Sequence, residues 1–312
     1  MSILQRVPWQ LLWVALALVW GSSFLWMKVA LEALHPMQLS TLRVVVAAAT
    51  LLLLAVALRQ PLPRDGRTWA LLAVCSFFLT ALPFTAFVVA ETRISSGLAA
   101  IGNAVTPIAT VLFALLLLPS DRPTPRKLTA VGVGFVGVVL VAEPWASEGA
   151  PDLVGFLIAL AGGVSYGIGW TLNRRLLAGT EVPGLAHPTA LMLTGAPMTI
   201  AALLVWSAIE GWPPLAPVAT EQLLPALGAV AVLGVVGTGV AYILQFEVVR
   251  SVGPTISATV TYFIPVVAVG LGFLVLHERL GAWQLIGAAV VIGAGLLIQG
   301  RRARKPQAAP AA

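Results

Sequence analysis

Trp20, Phe24, Met27 and Leu31 recur at three- and four-residue spacing, so a helix would line them along one face. Gly21, Ser22 and Ser23 sit among them, and a second stretch repeats the pattern. There Tyr166, Trp170 and Asn173 share a helical face beside Gly162, Gly163, Gly167 and Gly169. Aromatic walls with a few hydroxyl and amide groups suit a small amphipathic ligand; packing in a helical core is the alternative. Two motifs of covalent chemistry, H-E-x-x-H and a P-loop, are missing. The lone Cys75 can form neither an intrachain disulfide nor a clustered-cysteine metal site. His35, His187 and His277 fall at the ends of apolar runs, and His277-Glu278-Arg279 reads as a solvated cluster. No catalytic residue, metal ligand or cofactor is expected.

Two prolines and one arginine add to this set. Pro107 and Pro265 each fall near the centre of a long apolar run. Proline removes one helical hydrogen bond and crowds the carbonyl four residues back, here that of Asn103 and of Thr261. A freed carbonyl in lipid needs a partner or a wet cavity. The pair therefore reads as bent gating helices beside a substrate site, with static kinks as the alternative. Arg43 also lies within a run, where an arginine at mid-depth costs about 2.5–3.5 kcal/mol on insertion scales. It could meet a substrate carboxylate or backbone carbonyls, while Lys28 could snorkel outward. No Asp or Glu falls near the centre of any run; Glu91 and Glu247 lie at run ends. A carboxylate relay at the midplane is thus disfavoured.

The elements that must position these residues are membrane helices. Of 312 residues, 59% are hydrophobic and 10% charged, and the mean hydropathy is +0.97. Soluble domains carry about 25% charged residues, and the alternation of a membrane barrel is missing. Ten apolar runs are countable: Trp9–Leu31, Met37–Leu58, Thr68–Ala90, Ser95–Leu118, Leu128–Val141, Leu153–Leu176, Thr189–Ile209, Leu223–Glu247, Pro254–Leu276 and Trp283–Ile298. The basic residues, with a pI near 10.2, sit between the runs rather than on a soluble face, which argues against nucleic acid. With a cytoplasmic N-terminus, the inside segments hold 14 of the 18 basic residues, so both termini are expected to be cytoplasmic.

Ten spans with both ends inside divide into two halves of opposite orientation. An offset of 158 carries Asn103 onto Thr261 and Pro107 onto Pro265, while Trp20-Gly21 matches Tyr166-Gly167 and Phe24 matches Trp170. The expected fold is an all-α polytopic membrane protein with ten transmembrane helices in two inverted five-helix repeats around a central cavity. The repeats would cover residues 1–148 and 149–300, followed by a basic cytoplasmic tail, residues 301–312. Ala130/Gly134 and Ala289/Gly293 are spaced for close helix approach, either between spans five and ten or across a homodimer.

Trp20-Gly21-Ser22-Ser23-Phe24, Arg43, Pro107, Pro265 and Leu276-His277-Glu278-Arg279-Leu280 resemble the drug/metabolite transporter superfamily, in its branch with two tandem EamA repeats. The first repeat departs from that pattern at Pro119-Ser120-Asp121, where a glutamate ending is usual. The resemblance covers essentially the whole chain and implies small-metabolite transport across the bacterial inner membrane, often export. Within the branch the chain looks most like the YddG-type exporters of aromatic and neutral amino acids. The expected cavity residues are Trp20, Ser23, Phe24, Arg43, Asn103, Tyr166, Trp170, Tyr242, Gln245 and Tyr262, with Pro107, Thr261 and Pro265 for gating. Partners would be the lipid bilayer and a small molecule, for a monomer or homodimer. Nucleotide-sugar, sugar-phosphate or drug transport remains an alternative, as does an intramembrane enzyme or lipid-binding receptor.

Overall fold

The computed structural model describes residues 7–118, 124–143, 152–180, 182 and 184–299. The expected repeat boundary at residues 148–149, the Pro119-Ser120-Asp121 departure and the basic tail lie outside them. Every regular element among the described residues is helical. The first two runs form α1 (Trp9–Leu31) and α2 (Pro36–Ala57). The third is α3 (Gly66–Ser76), a π-helical segment Phe77–Ala81, then α4 (Leu82–Glu91). The fourth is interrupted, with α5 (Ser96–Asn103) and α6 (Thr106–Leu117). Then come α7 (Pro125–Ala142), α8 (Leu153–Leu176) and α9 (Ala186–Glu210). The eighth run is α10 (Leu223–Ala231), a longer π-helical segment Val232–Val240 and α11 (Ala241–Ser257). A 3₁₀ turn, Ala258–Tyr262, precedes α12 (Ile264–Leu276), and α13 (Ala282–Gln299) follows.

Seven helical segments of the described chain are long and apolar enough to cross a membrane. Three shorter apolar helices, Leu128–Ala142, Val260–Leu276 and Ala282–Leu297, stand where the fifth, ninth and tenth runs are expected. At about 1.5 Å per residue they fall short of a hydrocarbon core of about 30 Å. The ninth is short because the eighth is long. Gly253-Pro254, read as a boundary, lies inside α11, and the chain turns only after Ser257. Neighbouring helices let membrane helices tolerate such residues.

Local chemistry sets the starts. His35 caps α2, its Nδ1 accepting from Met37 N at 3.2 Å while Gln38 Oε1 accepts from His35 N at 2.8 Å. Asp152 caps α8 by accepting from Gly155 N at 2.7 Å. That bond and nearby Arg93 hold its carboxyl below the usual range.

The packing has an exchange pattern. α1 packs on α11 and α12, whereas α8 packs on α4, α5 and α6. α2 meets the Val232–Val240 segment, and α9 meets α3 and Phe77–Ala81; α2 also packs on α9, and α7 on α13. Swapping each run with the one five places along turns these contacts into one another.

Glycines allow the closest approaches. A Cβ on Gly21 would lie 2.4 Å from Val267 Cβ, and one on Gly167 2.5 Å from Ala109 Cβ. Val267 and Ala109 each stand two residues beyond a mid-run proline. Between α7 and α13 the contact uses Gly137 and Gly287, where a Cβ on Gly287 would lie 2.7 Å from Gly137 O. Ala130 is buried in this packing and Gly134 sits against Ile108. Ala289 and Gly293 instead turn outward, one residue-step off the contact face.

Candidate functional site

A cavity of about 520 Å³ lies where the interrupted runs meet α1, α2, α4, α8 and α11. Trp20, Ser23 and Phe24 line it from α1, Tyr166 and Trp170 from α8, and Tyr242 and Gln245 from α11. Arg43, Asn103 and Tyr262 complete the ten residues named from the sequence, and all ten line this one space. Pro107 and Thr261 line it as well, whereas Pro265 stands behind Ile264 and does not.

The prolines break helices here rather than bend them. Pro107 and Pro265 each fall in the first turn of a helix, α6 and α12. A missing N–H costs nothing at that position. Asn103 ends α5, and Thr261 lies in the 3₁₀ turn. Two half-helices thus begin at the cavity, presenting Thr106 and Ile264. Such ends carry partial positive charge.

Several lining residues escaped the sequence reading, among them Phe84, Phe87, Thr106 and Thr238. In a uniformly apolar helix nothing separates a cavity face from a packed one. Phe87 anchors an aromatic row, edge-on to Phe24 at 5.8 Å between centroids and stacked on Tyr166 at 6.0 Å. Gly162 makes room for it, since a Cβ there would lie 2.9 Å from Phe87 Cζ. Two residues read from the sequence spend their polar groups on neighbours. Tyr262 is 1% exposed and its hydroxyl donates to Gly295 O at 2.8 Å. Asn173 leaves the cavity face altogether and pairs with His187 Nε2 at 2.7 Å.

Among the described lining residues Arg43 is the charged one, and none is a carboxylate. It is 8% exposed, its guanidinium sits 4.2 Å over the Phe84 ring, and Nη1 reaches Met27 Sδ at 3.3 Å. Its Nε has no hydrogen-bond partner. The ring face offsets some of the burial cost, but a buried cation without a carboxylate is an incomplete pair.

Beyond the cavity, α1, α4, α5 and the residues after α12 meet at a polar cluster. Lys28 does not snorkel: Nζ donates to the carbonyls of Glu91 at 2.6 Å and Ile94 at 2.8 Å. Glu278 is no loose solvated group either. Its carboxylate accepts from Ser96 N at 3.0 Å and from Ser96 Oγ at 2.6 Å, fastening α12 to the start of α5. Glu91 is 1% exposed, and neither carboxylate oxygen has a partner. At the opposite end Glu247 accepts from Arg250 at 2.9 and 3.0 Å. Among the described residues no three His, Cys, Asp or Glu side chains converge as metal ligands would.

The model of the EamA-like transporter family matches residues 7–142 and again 153–299. The uncharacterized inner membrane transporter YedA of Escherichia coli is 26% identical over 287 residues, covering 91% of this chain and 88% of that protein. An S-adenosylmethionine/S-adenosylhomocysteine transporter of Chlamydia trachomatis is 30% identical over 297 residues, covering 90% and 86%. Protein PecM of Dickeya dadantii is 27% identical, covering 90% and 89%. A crystal structure with 20% sequence identity superposes with a TM-score of 0.61 over 92% of this chain and 95% of the other.

Proposed function

The chain belongs to the EamA-like transporter family, and we propose that it moves small amphipathic metabolites bearing a carboxylate, aromatic and neutral amino acids first, across the bacterial inner membrane. Arg43 carries this reading: a buried guanidinium whose Nε has no partner, in an aromatic-walled cavity with no carboxylate among its described lining residues, is completed by an anionic ligand group. A carboxylate at Arg43 would leave the ligand's apolar part among Trp20, Phe24, Phe87 and Tyr166. Its ammonium would meet aromatic faces rather than an acid. The two half-helices beginning at the site favour the same sign of charge.

Transport then follows from alternating access between two inverted five-helix repeats, with the breaks before Pro107 and Pro265 as hinges. Cytoplasmic termini place the Lys28–Glu278 cluster at the outer mouth, where the Glu278–Ser96 contact closes the site. Export down a substrate gradient is the proposed direction. One cation suits a single carboxylate better than the several charges of a sugar phosphate or nucleotide sugar. The Chlamydia relative favours a second reading on the same anchors, an amino-acid conjugate with an aromatic base stacked between the rings.

Efflux of radiolabelled tryptophan from proteoliposomes tests the proposal. Arg43→Gln should lower flux about tenfold or more, the loss of a charge-assisted bond of about 1.5–3 kcal/mol. Undiminished flux in that variant would overturn the assignment.

A further inference from the structure

Glu91, a carboxylate outside the cavity lining, acts on the cavity's cation and is occupied by no hydrogen bond. Phe84, over which the Arg43 guanidinium lies, and Glu91 are seven residues apart on α4. Seven residues are two turns, so both project from the same face about 10 Å apart along the axis. Glu91 is fully buried, and both oxygens are unpartnered. The charges acting on it come from three other elements: Lys28 on α1, Arg43 on α2 and Glu278 after α12. Two of these are already engaged. The Lys28 ammonium is held by two carbonyls, and the Glu278 carboxylate by Ser96. Arg93, next but one on its own chain, turns away to Asp152 at 3.0 Å. Arg43, which touches Met27 Sδ and the Phe84 ring, is left as the cation with no carbonyl or carboxylate partner. The titratable groups that act on it from α8 and α11 are Tyr166 and Tyr242.

We propose that Glu91 is a proton-binding site linked to the substrate site through Arg43. With the cavity empty, Arg43 adds to Lys28 as counter-charge to Glu91 and favours its ionised form. A substrate carboxylate arriving at Arg43 cancels that charge, and Glu91 takes one proton from the aqueous phase. Substrate and proton therefore bind together, and each strengthens the other by the same factor. One charge at about 10 Å, in a medium of effective dielectric constant about 20, sets that factor on the order of tenfold. The inference rests on the reading of Arg43 as a carboxylate anchor.

Two measurements on the full-length protein in nanodiscs separate the inference from that reading. Infrared titration of the ligand-free protein should show a protonated carboxylic acid band that is absent in Glu91→Gln and whose midpoint moves to higher pH in Arg43→Gln. An unmoved midpoint overturns the linkage, whatever the ligand. Calorimetry with tryptophan in buffers of different ionisation enthalpy should show proton uptake on binding by the native protein. In Glu91→Gln uptake should vanish and affinity should lose its pH dependence, staying at the tight, low-pH value. Tryptophan binding without proton uptake overturns the linkage while Arg43→Gln still tests the anchor. A moved infrared midpoint without tryptophan binding supports the shared counter-charge and overturns the substrate reading.

Discussion

Tyr262 shows how far a residue's type carries. Its hydroxyl and its place near a proline mark it as a ligand contact, yet the group is spent on Gly295 O. The neighbour that takes it is 33 positions away and has no side chain, so no spacing rule could announce it. Tyr262→Phe should cost about 1 kcal/mol of stability, the net worth of one hydrogen bond, and leave tryptophan affinity unchanged. Thermal unfolding in detergent beside a binding isotherm checks both, and a loss of affinity would restore Tyr262 to the binding set. Trp20, Phe24, Tyr166 and Trp170 were legible for the opposite reason. Large aromatic rings amid glycine at mid-run leave few uses other than lining a space. Phe84 and Phe87 do the same work without any such contrast in their surroundings. Glu91 and Glu278 looked interfacial because sequence depth does not report what covers a helix end.

At the scale of elements, the two breaks depend on the two glycines that face them. Gly21 stands against Val267 and Gly167 against Ala109, each two residues past its proline. A methyl group at either position would lie within 2.5 Å of a side-chain carbon, so the half-helix must move. Gly21→Ala or Gly167→Ala should cost about 1–3 kcal/mol by overpacking. Each should also lower tryptophan flux more than tryptophan binding, because the shift falls on a proposed hinge and not on Arg43. Equal losses in flux and affinity would assign these glycines to the cavity's shape instead. The sequence announced the breaks through Pro107 and Pro265 but not their form. A helix that stops at Asn103 and restarts at Thr106 depends on what packs beside the gap, here α8. Likewise Gly253-Pro254 suggested an end that packing overrides, while Gly137 and Gly287, not the outward Ala289/Gly293, make the α7–α13 seam.

Across the whole molecule, polar groups of one half find their partners in the other. Thr41 donates to Thr199 O at 2.9 Å, Ser76 to Leu191 O at 2.6 Å and Thr106 to Gly163 O at 3.1 Å. Gln38 donates to Pro214 O and Ala216 O. Neither half buries its own faces. A chain cut between Ala142 and Leu153 should therefore yield fragments that unfold singly but co-purify and bind tryptophan when co-expressed. A first fragment that is stable alone, by thermal unfolding, would show that the cross-half contacts are dispensable. The same bonds impose an order on synthesis. When α1 to α6 have entered the bilayer, the carbonyls meant for Thr41, Ser76 and Thr106 do not yet exist. Until the ribosome has delivered α8 and α9, those hydroxyls must turn back on their own helices. The nascent protein therefore passes through a waiting state whose length is set by the time needed to translate its second half.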